Sequence, residues 1–205
     1  MIARIVSCGI GWISLGGLYA QLFQGIAYGG IVGAQVAGDG MAGFHKGGIM
    51  GGFAIIRPIP KEWTLRWGLE VFQRGSARSV KDALEGKGRW ERMRVTYLET
   101  PITLLLQIPN QPWRVGGVLS LAIRWEGQMV NTFGAIEPVD FLRRTDVNGR
   151  ITIEYHHPRG IVGFFQTGQS LIGIGKQWAR PIILSAYPGL LHIFIAAGIG
   201  YAWNS

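Results

Sequence analysis

Residues 113–127 read WRVGGVLSLAIRWEG. Trp113, Val115, Gly117, Leu119, Leu121, Ile123 and Trp125 take the odd positions, and Arg114, Gly116, Ser120, Ala122, Arg124 and Glu126 the even ones. Val118 is the one clear exception. A strand shows successive residues to opposite faces. The stretch therefore predicts a strand with one apolar face, capped by Trp at both ends, and one small, polar and charged face. The period of two recurs. WTLRWGLEV sets Trp63, Leu65, Trp67, Leu69 and Val71 against Thr64, Arg66, Gly68 and Glu70. LHIFIAAGIGYAW sets Leu191, Ile193, Ile195, Ala197, Ile199, Tyr201 and Trp203 against His192, Ala196, Gly198, Gly200 and Ala202, with Phe194 as an exception. RITIEYH separates Ile151, Ile153 and Tyr155 from Thr152, Glu154 and His156. Near the start, Ile26, Tyr28, Val32 and Val36 stand against Gly25, Ala27, Gly29, Gly33 and Gln35. A helical period of 3.6 fits none of these stretches as well.

Eight strands follow, at 23–37, 45–57, 62–75, 92–107, 113–127, 149–156, 160–173 and 190–203. The second, fourth and sixth connections (RPIPKE, IPNQP and HPRG) are tight, and each holds a proline. The connections at 76–91, 128–148 and 174–189 are long, and the first, around GDGMAGF, is intermediate. An even strand number with short turns on one side and long loops on the other is the layout of an eight-stranded antiparallel up-and-down transmembrane β-barrel. Both termini then lie with the short turns. Trp63, Trp113, Tyr155 and Trp203 fall at that end of their strands, and Trp125 at the other. Twelve residues at ~3.3 Å with a tilt of ~40° separate Trp113 from Trp125 by roughly 30 Å. The apolar band of such barrels is about 25 Å tall and edged by aromatic residues, so these five residues form candidate girdles. In lipid every backbone polar group must be paired, so the sheet must close. Closure gives the charged faces a lumen.

The fourth strand, VTYLETPITLLLQ, carries Glu99. A lipid-facing carboxylate at mid-depth costs a few kcal/mol. Tyr97, Glu99 and Thr103 are therefore expected inward and Leu98, Ile102, Leu104 and Leu106 outward. Met93 and Val95 break that pattern and point to a bulge or to a level beyond the membrane. The seventh strand, IVGFFQTGQSLIG, gives no readable parity.

Composition sharpens this picture. The 205 residues include 32 Gly, 11% aromatic and 16% charged residues, against about 25% charged in ordinary soluble domains. Mean hydropathy is positive, at +0.21. No run of about 20 apolar residues follows the N-terminal segment, which argues against a helical membrane bundle. The first twenty residues carry Arg4, an apolar stretch and small residues ending at Ala20, the layout of a secretory signal peptide. Residues 1–20 are thus expected to be removed and 21–205 to form the barrel. Cys8, the sole cysteine, would leave with the leader, so no disulfide framework is expected. The net charge of +8 is scattered rather than clustered, which favours anionic lipid and lipopolysaccharide contact over nucleic acid.

GFHKGGIMGGFAII, VTYLETPITLLL, LRRTDVNGRITIEY and the closing AAGIGYAW resemble the PorT-like outer-membrane β-barrel family of Bacteroidota. Tyr97-Leu98-Glu99-Thr100-Pro101 stands for the family's Tyr-Leu-Glu-x-Pro strand. Asp146-Val147-Asn148-Gly149 stands for its late Asp-x-Gly, with one extra residue. The family's usual third strand is matched only by WTLRWGLEVFQRG. The resemblance implies an eight-stranded outer-membrane barrel. Through the namesake, it also implies a role accessory to type IX protein secretion and an envelope protein partner.

The candidate chemistry is sparse. Arg66, Glu70, Tyr97, Glu99, Arg114, Arg124, Glu154 and His192 are expected to face the lumen, three arginines against three glutamates. Such a cluster reads either as a polar path or as charge pairs plugging a barrel with little room beyond side chains. His156 and His157, adjacent on a strand, would point to opposite faces, poor geometry for one metal. His45 and His192 have no visible ligand partners. No Gly-x-Ser-x-Gly, His-Glu-x-x-His or mature cysteine nucleophile occurs, so no enzyme, cofactor or metal is expected. The loop 76–91 is mixed but basic, with Arg74 and Arg92 at its flanks. PVDFLRR reads as one helical turn with Asp140 near its start. Three functions remain open. The first is a monomeric outer-membrane barrel binding a partner through its loops. The second is an exported lipocalin-like barrel with its faces inverted, and the third a barrel enzyme acting on lipid.

Overall fold

The computed structural model describes residues 24–41, 43–87, 90–175 and 190–204; the expected leader, 1–20, lies outside them. Among the described residues nine strands form: β1 Gln24–Ala37, β2 Lys46–Ile59, β3 Trp63–Ala77, β4 Arg92–Gln107, β5 Trp113–Val130, β6 Ile136–Pro138, β7 Thr145–His156, β8 Ile161–Ser170 and β9 Leu191–Asn204. One short helix, α1 Val80–Leu84, follows β3. Each long strand pairs antiparallel with its chain neighbour, β7 following β5 around the sheet. β9 pairs with β1 from Gln24↔Asn204 to Ala37↔Leu191, which closes the sheet. The result is a closed eight-stranded antiparallel barrel. β6 is a three-residue addition hung on the far end of β5.

The tight turns lie at 60–62, 108–112 and 157–160, on the side of the two described chain ends. At the first, Lys61 and Glu62 both adopt φ +66°. Two successive positive φ values match the right-handed twist of the flanking strands. The β3–β4 ladder runs from Trp63↔Leu106 to Trp67↔Ile102 and resumes at Glu70↔Glu99. The gap falls at Pro101, which has no N–H to donate.

Alternation sorts the side chains as expected in β3, β4, β5, β7 and β9. Trp67, Val71, Ile102, Leu104, Leu119, Leu121, Ile123, Ile151, Ile153, Ile199 and Tyr201 form part of an exposed outer belt. Four expectations need correction. In β1 the apolar set Ile26, Val32 and Val36 points inward and is buried, while Ala27 and Ile31 face out. The lumen beside β1 is apolar and must be filled, so apolar residues occupy the inner face here as well as the outer one. Met93 and Val95 keep the parity, facing inward and fully buried, but the expected bulge is there, beside Val95 at the register shift between Thr96 and Tyr97. The bulge lies on the partner strand, where Tyr97 faces Arg124 and Thr96 faces Glu126, leaving Trp125 as the extra residue. β8 has clear parity, with Val162, Gln166 and Ser170 buried and Ile161, Phe165 and Thr167 exposed. PVDFLRR forms no helix; Leu142 makes a β-bridge to Gly175 instead. The helical turn is α1, where Ser79 and Asp82 form a reciprocal capping box.

Candidate functional site

The interior divides into walls and layers. β9, β1, β2 and β3 line one side with Val32, Ala34, Met50, Phe72, Phe194 and Ala196. Near the turn end, Ile26, Ala54, Ile56 and Val162 close the bottom. Inward glycines make room for these rings. A Cβ on Gly198 would lie 2.5 Å from the Phe164 ring and 2.3 Å from the Gly29 carbonyl.

Against this apolar wall, β3, β4 and β7 supply the charges. Arg74 and Glu99 are fully buried. Glu99 takes ion pairs from both Arg74 and Arg150. It also accepts hydrogen bonds from Ser120 Oγ at 2.9 Å and Asn148 Nδ2 at 3.2 Å. Arg150 reaches Glu70 as well. Arg74 Nη1 donates to Asp146 Oδ2 at 2.8 Å, which also accepts from Ser170 Oγ at 2.8 Å. The Arg74 guanidinium sits 4.4 Å from the Phe194 ring centroid and 4.9 Å from that of Phe72, within cation–π range. Lower down, Arg66 grips Glu154 through two bonds of 2.6 and 3.1 Å, and His156 Nε2 lies 3.0 Å from the same carboxylate. Tyr28 Oη donates to Glu70 Oε2 at 2.9 Å and its ring lies under Arg66. Tyr28 thus joins the two layers into one ladder running up the lumen. Buried charges persist only when paired and hydrogen-bonded, and here the charges partner one another. The space left beside Tyr28, Arg66, Glu70 and Arg150 is about 20 Å³, room for about one water.

Of the residues expected inward, Arg66, Glu70, Glu99 and Glu154 lie in this ladder. Tyr97 and His192 face inward above it, with Tyr97 Oη 3.1 Å from His192 Nε2. Arg114 and Arg124 stand apart. Arg114 Nε donates to Gln107 Oε1 at 2.8 Å near the turns, and Arg124 donates to the Val139 carbonyl at the loop rim. The expected three-against-three pairing of Arg66, Arg114 and Arg124 with the glutamates is therefore not the one formed. Arg74 and Arg150 take their places, with Asp146 and Asn148. Asp146 and Asn148 were missed because the sixth strand was read as starting at 149; Arg74 and Arg150 lay inside the expected strands but beyond the stretches whose alternation is apolar, WTLRWGLEV ending at Val71 and the sixth strand's apolar positions starting at Ile151. Parity held the signal: extending Arg66–Glu70 by fours reaches Arg74, and stepping back by twos from Glu154 reaches Arg150, Asn148 and Asp146.

At the loop end a second apolar layer caps the charges. Val36, Met93, Val95, Tyr97 and Ala122 come from strands, and Met41, Trp90, Val139, Leu142, Ile174 and Leu190 from the connections. Every long connection contributes. Trp90 Nε1 donates to Ser76 Oγ at 2.8 Å, and its ring lies 5.4 Å from Phe141. On the outside, Trp63, Trp113, Tyr155 and Trp203 lie at the turn end and Trp125 at the other, all outward. Trp113 and Tyr155 are register partners in edge contact at 5.1 Å. His45 is exposed, and among the described residues no group of three metal-ligating side chains converges.

A closed eight-stranded barrel, apolar and aromatic-edged outside and charged within, has the architecture of the small outer-membrane barrels. The attachment invasion locus protein Ail of Yersinia pestis has this fold, with a TM-score of 0.54 at 14% identity over 88% of this chain and 98% of that one. Neisserial surface protein A aligns with a TM-score of 0.51 at 10% identity over 87% and 96%. A second structure of Ail, bound to the heparin analogue sucrose octasulfate, gives 0.51 at 12% identity over 88% and 99%. These likenesses are of fold. No protein-family model and no curated protein matches the chain.

Proposed function

We propose that this chain is an integral outer-membrane protein that conducts nothing through its lumen and acts, without catalysis, at its loop rim. The observation that carries the reading is the inversion of polarity: leucine, isoleucine and tryptophan outside, a paired arginine–carboxylate ladder inside. A soluble ligand-binding barrel needs the reverse, an apolar cavity within a polar coat, and the space beside Tyr28, Arg66, Glu70 and Arg150, charged and with room for about one water, does not offer it. Work is then left to the connections, which a rigid barrel displays. The resemblance to PorT-like barrels supports an envelope partner at that rim, with the type IX secretion machinery as the named candidate. The test is fractionation of native cells, with gel mobility before and after boiling. Outer-membrane recovery with a heat-dependent shift is the expected result; release with the soluble periplasm would overturn the reading. Capture of secretion components by the tagged native protein, lost on shortening residues 131–144, tests the finer assignment.

A further inference from the structure

We infer that the loop rim carries a binding site for the phosphate of an anionic outer-leaflet lipid, built by Lys46, Arg92 and Arg94. The inference rests on the outer-membrane reading above. β4 runs past the apolar belt, and its outward residues change from Leu104, Ile102 and Leu98 through Thr96 to Arg94 and Arg92. Arg94 and Arg92 pair in register with Gln128 and Val130 of β5. Both pairs lie beyond the bulge at Trp125, the outer girdle residue, so the two guanidiniums stand just above the level where hydrocarbon ends. β2 pairs with β3 only as far up as Met50↔Phe72. Lys46, at the start of β2 above that point, lines the same pocket of about 170 Å³ as Arg92, Arg94, Gln128, Val130 and Ile136.

Among the described residues none of the three cations is ion-paired to a carboxylate. The neighbouring basic residues of the same loop region are: Arg78 holds Glu91, and Lys87 holds Glu85. Three cations gathered on one pocket repel each other unless an anion joins them. Guanidiniums match the oxygens of phosphate in a forked geometry. Val130 and Ile136 supply an apolar flank, and the belt below takes acyl chains, which a free anion would not use. Basic residues at a membrane surface attract anionic headgroups additively.

The experiment uses the full chain in phosphatidylcholine nanodiscs, with and without diphosphoryl lipid A as the probe, and retained lipid counted by mass spectrometry. Wild type should hold lipid A through washes. The Arg92→Gln/Arg94→Gln double variant should bind it roughly tenfold to thirtyfold more weakly. Lys81→Gln/Lys87→Gln, with the same loss of charge, should bind as wild type. Heat-shifted gel mobility checks that each variant is folded. Equal retention by folded wild type and the Arg92/Arg94 variant overturns the site. Displacement by millimolar inorganic phosphate as complete as that by lipid A overturns the lipid as its occupant. Failure of wild type to enter nanodiscs at all overturns the membrane reading instead.

Discussion

Glu99 holds the interior together, because it is the shared acceptor for Arg74, Arg150, Ser120 and Asn148. Breaking a buried pair from one side strands the partner charges and costs about 3–5 kcal/mol. Glu99→Leu should therefore lower the unfolding free energy in lipid vesicles by about that much, measured by urea titration of tryptophan fluorescence. A loss under 1 kcal/mol would show that Arg74 and Arg150 find other partners. Asp39, in the connection after β1, is buried with Oδ1 accepting from the Met41 N–H at 2.9 Å. Burial raises its pKa above the ordinary carboxylate value. The folded chain then holds this proton more tightly than the unfolded chain, so the ionised carboxylate weakens the fold above its folded pKa. That penalty fades as pH falls through the folded pKa and is gone below about 4, the unfolded value. Asp39→Asn, which keeps the acceptor, should unfold later than wild type at pH 7 and together with it near pH 4; a gap independent of pH would refute this. Glu99 was legible because one carboxylate in an apolar run has only one affordable direction. Arg74 was not, because it sits where a strand outlasts its apolar face, and hydrophobic alternation is the only sign that a strand continues.

The strands and their connections differ in how much of them alternation records. Five of the eight barrel strands begin and end within two residues of expectation, while β5 runs three residues further and β8 stops three earlier; β7 is the largest departure, starting at Thr145 because its first turns of alternation are Asp146 and Asn148, polar inward residues that read as loop. The faces of β1 were inverted for a related reason. Alternation distinguishes two faces but not which is the lumen, and beside Phe72 and Phe194 the lumen wants Val32 rather than glycine. The cap over the charges was not legible as a unit, since its residues come one or two at a time from four connections and from the ends of separate strands. It carries its own prediction. Trp90 is buried against Phe141 and tied to Ser76, so Trp90→Ala should cost about 3–5 kcal/mol locally. The barrel strands do not depend on that contact, and the gel shift on boiling should persist. The freed segment should instead become sensitive to trypsin at Arg78, Lys81 and Lys87. Cleavage no faster than wild type would mean the cap is held by its other members.

Closure, polarity and filling together decide what the whole barrel can do. Eight strands enclose little more than side-chain volume, and this chain fills that volume twice over, with a charged ladder from Glu154 to Asp146 and apolar layers beneath and above it. An ion crossing would have to displace Arg74 or Arg150 from paired, buried positions, and opening either pair costs several kcal/mol. Purified protein in planar bilayers should therefore give no stepwise conductance at 100 mV, a potential that supplies only about 2.3 kcal/mol per elementary charge. Arg150→Ala offers the contrast. It vacates a guanidinium between Glu70 and Glu99 beside the existing 20 Å³ space and leaves two carboxylates facing each other. If the ladder is what seals the lumen, folded Arg150→Ala should admit water and show cation-selective events. Steady current through wild type would place the seal elsewhere. Silence from a folded Arg150→Ala variant would assign it to the apolar layers formed around Ile26 and Trp90, which remain intact in that variant.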